Sequence, residues 1–451
     1  MSPPRILTRE PPLRWWSGLL LCGVTASGCY RLPAKCTLTS ECELPLVCDP
    51  ATSFCVMATD AGLDAGPDAG LDGSGDGGAD AGDAGRPPCT PEPIARSALS
   101  LAPYQSENGV SGFLLIGGLC PETGQPLRQV DDFVPGSGFR PFARLLEPRA
   151  RSAVAGVGHT PSHPASVMVF GGGSNSLEYL SSTNELFDVV TSYRLPGGDL
   201  GPGLAALPAV ESDGGGSTRF LVAGGEDSTG APSPQSALVA CHNPPRPWDC
   251  VDAGLVAGLT GRRNFALLTL DDAGAVLAVG GIGGIAAQEA PRADQQLFRA
   301  AGGGWEPPSP TLQLGLPRAD FALVSDAAGR VYAIGGAIGV GAQTGNPGTE
   351  TAASEMEIWD SRPGDAGWRD AGPVPYGGRI DSVAAFLPDA GSAGQIAVFF
   401  GASAGPGSVV LSSYDLFDLA SGAWTTCPVG PLGDTGPCRP SCFTAGCDAG
   451  I

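Results

Sequence analysis

One lysine, Lys35, and three histidines, His159, His163 and His242, serve a chain of 451 residues, and this scarcity removes several kinds of site at once. Acidic residues outnumber basic ones 46 to 25, for a net charge of −21. A basic face that would grip nucleic acid or acidic lipid is therefore excluded, and the charge serves solubility. His159 and His163 stand four apart in GHTPSHP, a loop containing proline rather than a helix, so they do not form a helical metal pair. No G-x-S-x-G, H-E-x-x-H or Walker loop is expected. No apolar run reaches the length that spans a bilayer; the longest, WWSGLLLCGVTA (15–26), is too short.

What is abundant is glycine (69) and proline (43), with 42% hydrophobic residues and 14 cysteines. That composition suits low-complexity sequence or an all-β fold with many tight turns, and the chain contains both. Residues 1–28 read as an export signal: Arg5, Arg9 and Arg14 precede the apolar stretch. The stretch ends in ASGC (26–29), which resembles the lipobox of bacterial lipoproteins, apart from Ala26 where that family has a larger aliphatic residue. The resemblance implies lipid attachment at Cys29, a membrane anchor, and an outer-membrane or cell-surface position.

In an exported chain the remaining cysteines are expected in disulfides. Cys36, Cys42, Cys48 and Cys55 staple a small module (29–58), and their spacing lacks the paired C-x-x-C knuckles of a zinc site. Cys89 and Cys120 lie at the start of the large domain, Cys427, Cys438, Cys442 and Cys447 crowd its end and the C-terminal tail (431–451), and a bridge from Cys89 or Cys120 to one of these four is expected to clasp it. Cys241 and Cys250 are expected to close a hairpin. Between module and domain, residues 59–88 are an Asp/Ala/Gly linker that cannot bury enough apolar surface to fold, with a reach on the order of 30 Å. Asp72, Ser74, Asp76, Gly77, Asp80 and Asp83 fit an EF-hand template, but the low-complexity repeat explains the fit without calcium.

Residues 276–287, VLAVGGIGGIAA, carry the G-x-G-x-x-A spacing of a dinucleotide loop. The same apolar run ending in glycine recurs as GFLLIGG (112–118), SVMVFGG (166–172), RFLVAGG (219–225), RVYAIGG (330–336) and QIAVFFG (395–401). A repeat, not a cofactor loop, is the reading, and no cofactor is expected. Its glycines are Gly117, Gly118, Gly171, Gly172, Gly224, Gly225, Gly280, Gly281, Gly335, Gly336 and Gly401. Most copies follow a strand opening with arginine (Arg96, Arg151, Arg262, Arg318 and Arg379) and precede a short strand, a turn and often a tryptophan, as in QLFRAAGGGW and YDLFDLASGAW. The third copy has GLAALPAV (203–210) instead, with no arginine.

This pattern resembles the kelch repeat over residues 89–430. The resemblance implies an all-β, six-bladed propeller of four-stranded antiparallel blades, with ligands received at the channel mouths. The recurring arginines are expected to be structural. Galactose-oxidase-like copper chemistry needs histidines that the later repeats lack, and the boxes usual in sialidases are absent. Acid pairs such as Asp131 and Asp132, Asp271 and Asp272, or Glu355 and Glu357 have nothing in the sequence to select them as catalytic. The expected role is therefore binding of an extracellular protein or glycan through inter-blade loops such as 171–185 and 336–355. A carbohydrate-active enzyme and a purely structural envelope protein are the rivals.

Overall fold

Short aliphatic runs rich in valine and isoleucine, punctuated by glycine and aspartate, favour strands over helices, and strands are what the chain forms. The computed structural model describes residues 46–49, 54–57 and most of 95–429. Within that last span, segments 106–110, 158–165, 174–176, 182–185, 191–201, 208–216, 228, 243–249, 271–273, 285–287, 340–349, 361–366, 389, 391–392 and 406–407 are not among the described residues. No α-helix occurs among the described residues.

The protein is all-β with a propeller arrangement. The first blade comprises Ser100–Gln105, Ser111–Ile116, Leu127–Val134 and Gly138–Arg149, hydrogen-bonded in that order. Five further four-stranded sheets follow, with innermost strands Ser152–Val157, Pro202–Leu207, Ala266–Thr269, Ala322–Ser325 and Val383–Leu387. Pairing is antiparallel throughout. The innermost strands neighbour one another around a ring, and the last meets the first. Apolar clusters fill the spaces between blades. Trp305 donates its indole N–H to Ser236 of the preceding blade, at 2.9 Å, and Trp368 does the same to Gln295. Trp424 joins the cluster containing Ile358 and Val398. Each tryptophan thus supplies both apolar area and a hydrogen bond, or apolar area alone, at a blade junction.

The diglycines sit where two blades come closest. The first of each pair is left-handed, with φ between 60° and 69° at Gly117, Gly171, Gly224, Gly280 and Gly335. A Cβ on Gly280 would stand 2.6 Å from the carbonyl oxygen of Arg318 in the next blade, and one on Gly224 would stand 2.5 Å from that of Arg262. Conformation and space both require glycine there. After the glycines the chain enters a short strand or bridge. Ile282–Gly283 pairs with Ala290–Pro291, and Ala337–Ile338 with Thr351–Ala352. Bridges Leu119 to Pro126, Glu226 to Pro232 and Ala402 to Val410 repeat the device. The turn of VLAVGGIGG therefore recurs in other blades, and no helix follows it among the described residues.

Closure of the ring needs no exchanged strand, since the first blade supplies its four strands up to Arg149 and the last its four up to Pro428. Instead Phe133 and Phe139 of the first blade pack edge-on and tilted against Phe399, Phe400 and Tyr414 of the last, with ring centroids 4.8–6.0 Å apart. Phe400 occupies the place of a first glycine at φ 49°, a conformation bulky residues rarely adopt. Its burial among those rings offsets the strain. Cys427 is buried in the same cluster, and both Cys427 and Cys120 are disulfide-bonded.

In a separate unit, strands Leu46–Asp49 and Phe54–Met57 pair antiparallel and set Cys48 opposite Cys55. In the third blade the register sets Cys241 opposite Cys250. The signal region, Cys29, Cys36, Cys42, the linker with its EF-hand-like aspartates, Cys89, and Cys438, Cys442 and Cys447 lie outside the described residues.

Gly280→Ala is expected to lower stability by about 3 kcal/mol, because left-handed strain and a backbone clash combine. Gly339→Ala, equally left-handed but with nothing near its missing Cβ, is expected to cost about 1 kcal/mol. Urea midpoints of the two variants measure the difference.

Candidate functional site

A fully buried arginine enters each blade except the third, whose corresponding segment is not described. Its guanidinium bonds within its own blade to a carboxylate on the third strand or just before it, and to the carbonyl of the first glycine position. Arg96 pairs with Asp131 and Gly117, Arg262 with Asp294, Gln296 and Gly280, Arg318 with Glu357 and Gly335, and Arg379 with Asp415 and Phe400. The arginine's own carbonyl accepts from the preceding blade. Gly118 N–H donates to Arg149 at 2.8 Å, Gly225 to Arg262 at 2.9 Å, Gly281 to Arg318 at 2.9 Å, Gly336 to Arg379 at 2.7 Å and, across the closure, Gly401 to Arg96 at 3.3 Å. These charge-assisted bonds replace the water lost on burial. Burial still pushes the Arg262 pKa down to about 10, against the opposing pull of Asp294.

In the second blade this arginine is Arg149, which donates to Glu178 at 2.9 Å and to Gly171 at 2.6 Å. The sequence repeat assigns this place to Arg151, and the structure corrects it to Arg149. Arg151 lies two residues on, at the position equivalent to Ala98, Asn264, Asp320 and Asp381. All five have positive φ, 51–57°. Aspartate and asparagine tolerate this better than other non-glycine residues.

These five residues ring the axis through their backbones. Arg151 N–H donates to Ala98 at 2.7 Å, Ala98 to Asp381 at 3.1 Å, Asp381 to Asp320 at 2.9 Å and Asp320 to Asn264 at 3.1 Å. Their side chains then meet at the channel mouth. Arg151 binds Asp381 through two bonds, of 3.1 and 2.8 Å, and lies 3.3 Å from an Asp320 oxygen. Asn264 donates to the other Asp320 oxygen at 3.2 Å. A cavity of about 130 Å³ opens here, lined also by Ser100, Ser152, Pro202, Phe265, Phe321 and Ser382. Asp320 and Asp381 are almost wholly buried, whereas Arg151 keeps 24% of its side chain exposed.

Burial drives the Asp320 pKa well above the ordinary carboxylate value; Arg151 opposes this, and Asp381 and Glu350 add to it. Burial would lower the Arg151 pKa, but the carboxylates of Asp381, Asp320 and Glu350 outweigh it and hold it above the usual value. Further along the axis a second cavity of about 410 Å³ is lined mainly by apolar groups, including Leu101, Val154, Leu204, Leu267, Leu323 and Phe386. The axis is thus charged at one end and aliphatic beyond it.

The acids weighed in the sequence fall elsewhere. Asp131 and Glu357 serve the buried arginines, Asp132 pairs with exposed Arg140 at 2.5 Å, and Asp271 and Asp272 are outside the described residues. His159 and His163 are also outside them, and His242 lies on a strand whose side chain there is not described. Residues 401–405, GASAG, fit a G-x-S-x-G pattern that the sequence reading passed over. They lie in a loop without a following helix, and the Ser403 hydroxyl accepts the Val409 N–H at 3.0 Å, so no nucleophile elbow forms. The axial set was missed as well; its signal is the second residue after each blade arginine.

No family model matches the chain, and no curated protein matches it. Among solved structures, one titled "Structure of YjhT" is similar, with 14% identity, coverage of 74% of this chain and 98% of that one, and a TM-score of 0.48.

Two outcomes follow from this geometry. Arg149→Ala strands a buried Glu178 and is expected to cost about 3–5 kcal/mol, while Arg151→Ala, facing the channel, is expected to cost clearly less; denaturant unfolding compares them. For Asp320 the raised pKa means that the folded chain holds a proton which the unfolded chain releases above about pH 3.9. The group therefore costs stability progressively as pH rises from about 3.9 to its folded pKa, and the full cost stands above that pKa. Asp320→Asn is expected to raise the melting temperature at pH 8, by about 2 °C for each kcal/mol recovered, and to change it little at pH 4, as read by calorimetry.

Proposed function

We propose that the chain is an exported lipoprotein, anchored through Cys29 and tethered by the 59–88 linker, that displays its kelch-type propeller to bind an extracellular glycan or protein. The observation that supports binding is the axial mouth. Residues from all six sheets line one cavity there, and they offer it donors and acceptors: Arg151, Asn264, Asp320, Asp381, Ser382 and Ser100. Loops between second and third strands border the same face, because each second strand ends where an innermost strand begins. A ligand too large for the cavity can rest on those loops and place one group within it.

The anchor keeps this surface at the envelope while the linker frees it from the membrane. Its composition, an aspartate recurring among alanine and glycine, suits an extended, soluble spacer. The rival, turnover of a sugar, needs a carboxylate free to act as acid or base, whereas Asp131, Asp132, Asp320, Asp381 and Glu357 are each paired with an arginine.

Two measurements test the proposal. Full-length protein applied to a glycan array and to envelope extract is expected to retain a ligand that Arg151→Ala weakens about tenfold; turnover of a sugar by the parent protein would overturn the binding reading. Cys29→Ser is expected to move the protein from the membrane fraction to the soluble one, and retention of that variant in membranes would overturn the lipid anchor.

A further inference from the structure

The outer strands of the first blade part from regular pairing. Leu127–Val134 and Gly138–Arg149 set Gln129 opposite Arg144 and Leu127 opposite Arg149, so Arg128 alone stands across from Leu145, Leu146, Glu147 and Pro148. The next blade holds this long bulge in place: Glu178 accepts the Leu146 N–H at 2.8 Å and the Glu147 N–H at 3.2 Å. Beside the bulge a cavity of about 560 Å³ opens, lined by Arg128, Arg144, Phe142, Pro126, Pro141 and Pro148 among others. That volume falls within the roughly 300–1,000 Å³ of small-molecule sites.

Its positive charge is unanswered. Arg96, Arg140, Arg149 and Arg151, the other described arginines of the first two blades, each have a carboxylate partner. The guanidiniums of Arg128 and Arg144 are exposed and have no ion pair or hydrogen bond among the described residues. The acids of these two strands, and Glu178 across the blade junction, are committed elsewhere. Asp131 pairs with Arg96 and accepts from Gln129, Asp132 pairs with Arg140, Glu147 lies 3.7 Å from Arg149, and Glu178 serves Arg149 and the bulge. In a chain of net charge −21, two unpaired guanidiniums in one cavity are a local reversal of sign. They are too few to grip a nucleic acid, but their planar forks match the paired oxygens of a carboxylate or a sulfate.

The remaining walls select the shape of the ligand. Pro141 and Pro148 have no N–H to offer an added strand, and the N–H groups of Leu146 and Glu147 are taken by Glu178, so the outermost strand is closed to a peptide that would extend the sheet. Phe142, partly exposed and tilted against Tyr104 with ring centroids 5.6 Å apart, joins the prolines in an apolar wall that the C–H face of a sugar ring can cover. We propose that this cavity binds an acidic glycan, one whose sugar ring carries a carboxylate or a sulfate ester. Arg128 and Arg144 hold the oxyanion, and Phe142 with the prolines covers the ring. This is a second site, on the outer strands of one blade, and it does not depend on the axial mouth.

The experiment is isothermal titration of the full-length protein in detergent at pH 7. The probes are trigalacturonate and its neutral methyl ester, a sulfated disaccharide and its unsulfated form, and triglutamate. At least one anionic sugar is expected to bind tenfold or more tightly than its neutral counterpart, and which one does so names the oxyanion. Arg128→Gln and Arg144→Gln are each expected to weaken it about tenfold, and Arg144→Lys, which keeps the charge but loses the fork, by less. Melting temperatures equal to the parent's, expected for exposed side chains, show that these losses are not unfolding. Equal binding of neutral and anionic sugars, undiminished binding by a variant carrying both Arg128→Gln and Arg144→Gln, triglutamate binding as tight as that of the sugars, or no binding of any probe overturns the proposal. If a ligand is weakened by Arg151→Ala and not by Arg128→Gln or Arg144→Gln, this inference fails while the reading of the axial mouth stands.

Discussion

The buried arginine that enters each described blade, other than the third, is the interaction on which the rest of the structure depends. It faces two ways at once. Its guanidinium ties the innermost strand's approach to the third strand and to the glycine turn of the same blade, and its carbonyl receives the amide of the preceding blade's second glycine. Folding of a blade and docking of its neighbour are therefore one event. This explains why glycine stands at the first turn position of every described blade but the last: it has no room for a Cβ beside the next arginine's carbonyl, and the second glycine turns its N–H toward that carbonyl. The closure between last and first blades uses the same bond, from Gly401 to Arg96. An aromatic cluster reinforces it where Phe400 replaces glycine.

With the arginines fixed, the residue two places further on is fixed as well, and it is delivered to the axis in left-handed conformation. Scaffold and site are thus separated by two positions in the chain. The scaffold position tolerates one side chain; the axial position varies, as Ala98, Arg151, Asn264, Asp320 and Asp381. Variation at a position that the fold holds rigidly is a suitable basis for recognition, because the backbone ring pre-organises whichever side chains it carries.

Much of the fold was legible in the sequence because its signal is repeated. Six apolar runs ending in glycine, with arginine before most and tryptophan after several, outweigh the single resemblance of VLAVGGIGG to a nucleotide loop. The structural role of Arg96, Arg262, Arg318 and Arg379 follows from the same recurrence. The candidate site was legible only in part. Residues 148–151, PRAR, offer two arginines for one structural role, and the second, Arg151, resembles the others in its local surroundings. Only the pairing of Arg149 with Glu178, distant in sequence, resolves the register and exposes the axial series. Closure by Phe133, Phe139, Phe399, Phe400 and Tyr414 was hidden for a similar reason: the partners lie at opposite ends of the domain, whereas the clustered cysteines drew attention to themselves.

The central claim is that one bond type joins the blades and also closes the ring. Native-state hydrogen exchange at the second-glycine amides tests it most directly. The account predicts that Gly118, Gly225, Gly281, Gly336 and Gly401 are protected together and exchange only with global unfolding. Fast exchange at Gly401, with the other four protected, would show that the junction of the first and last blades opens on its own and would contradict it.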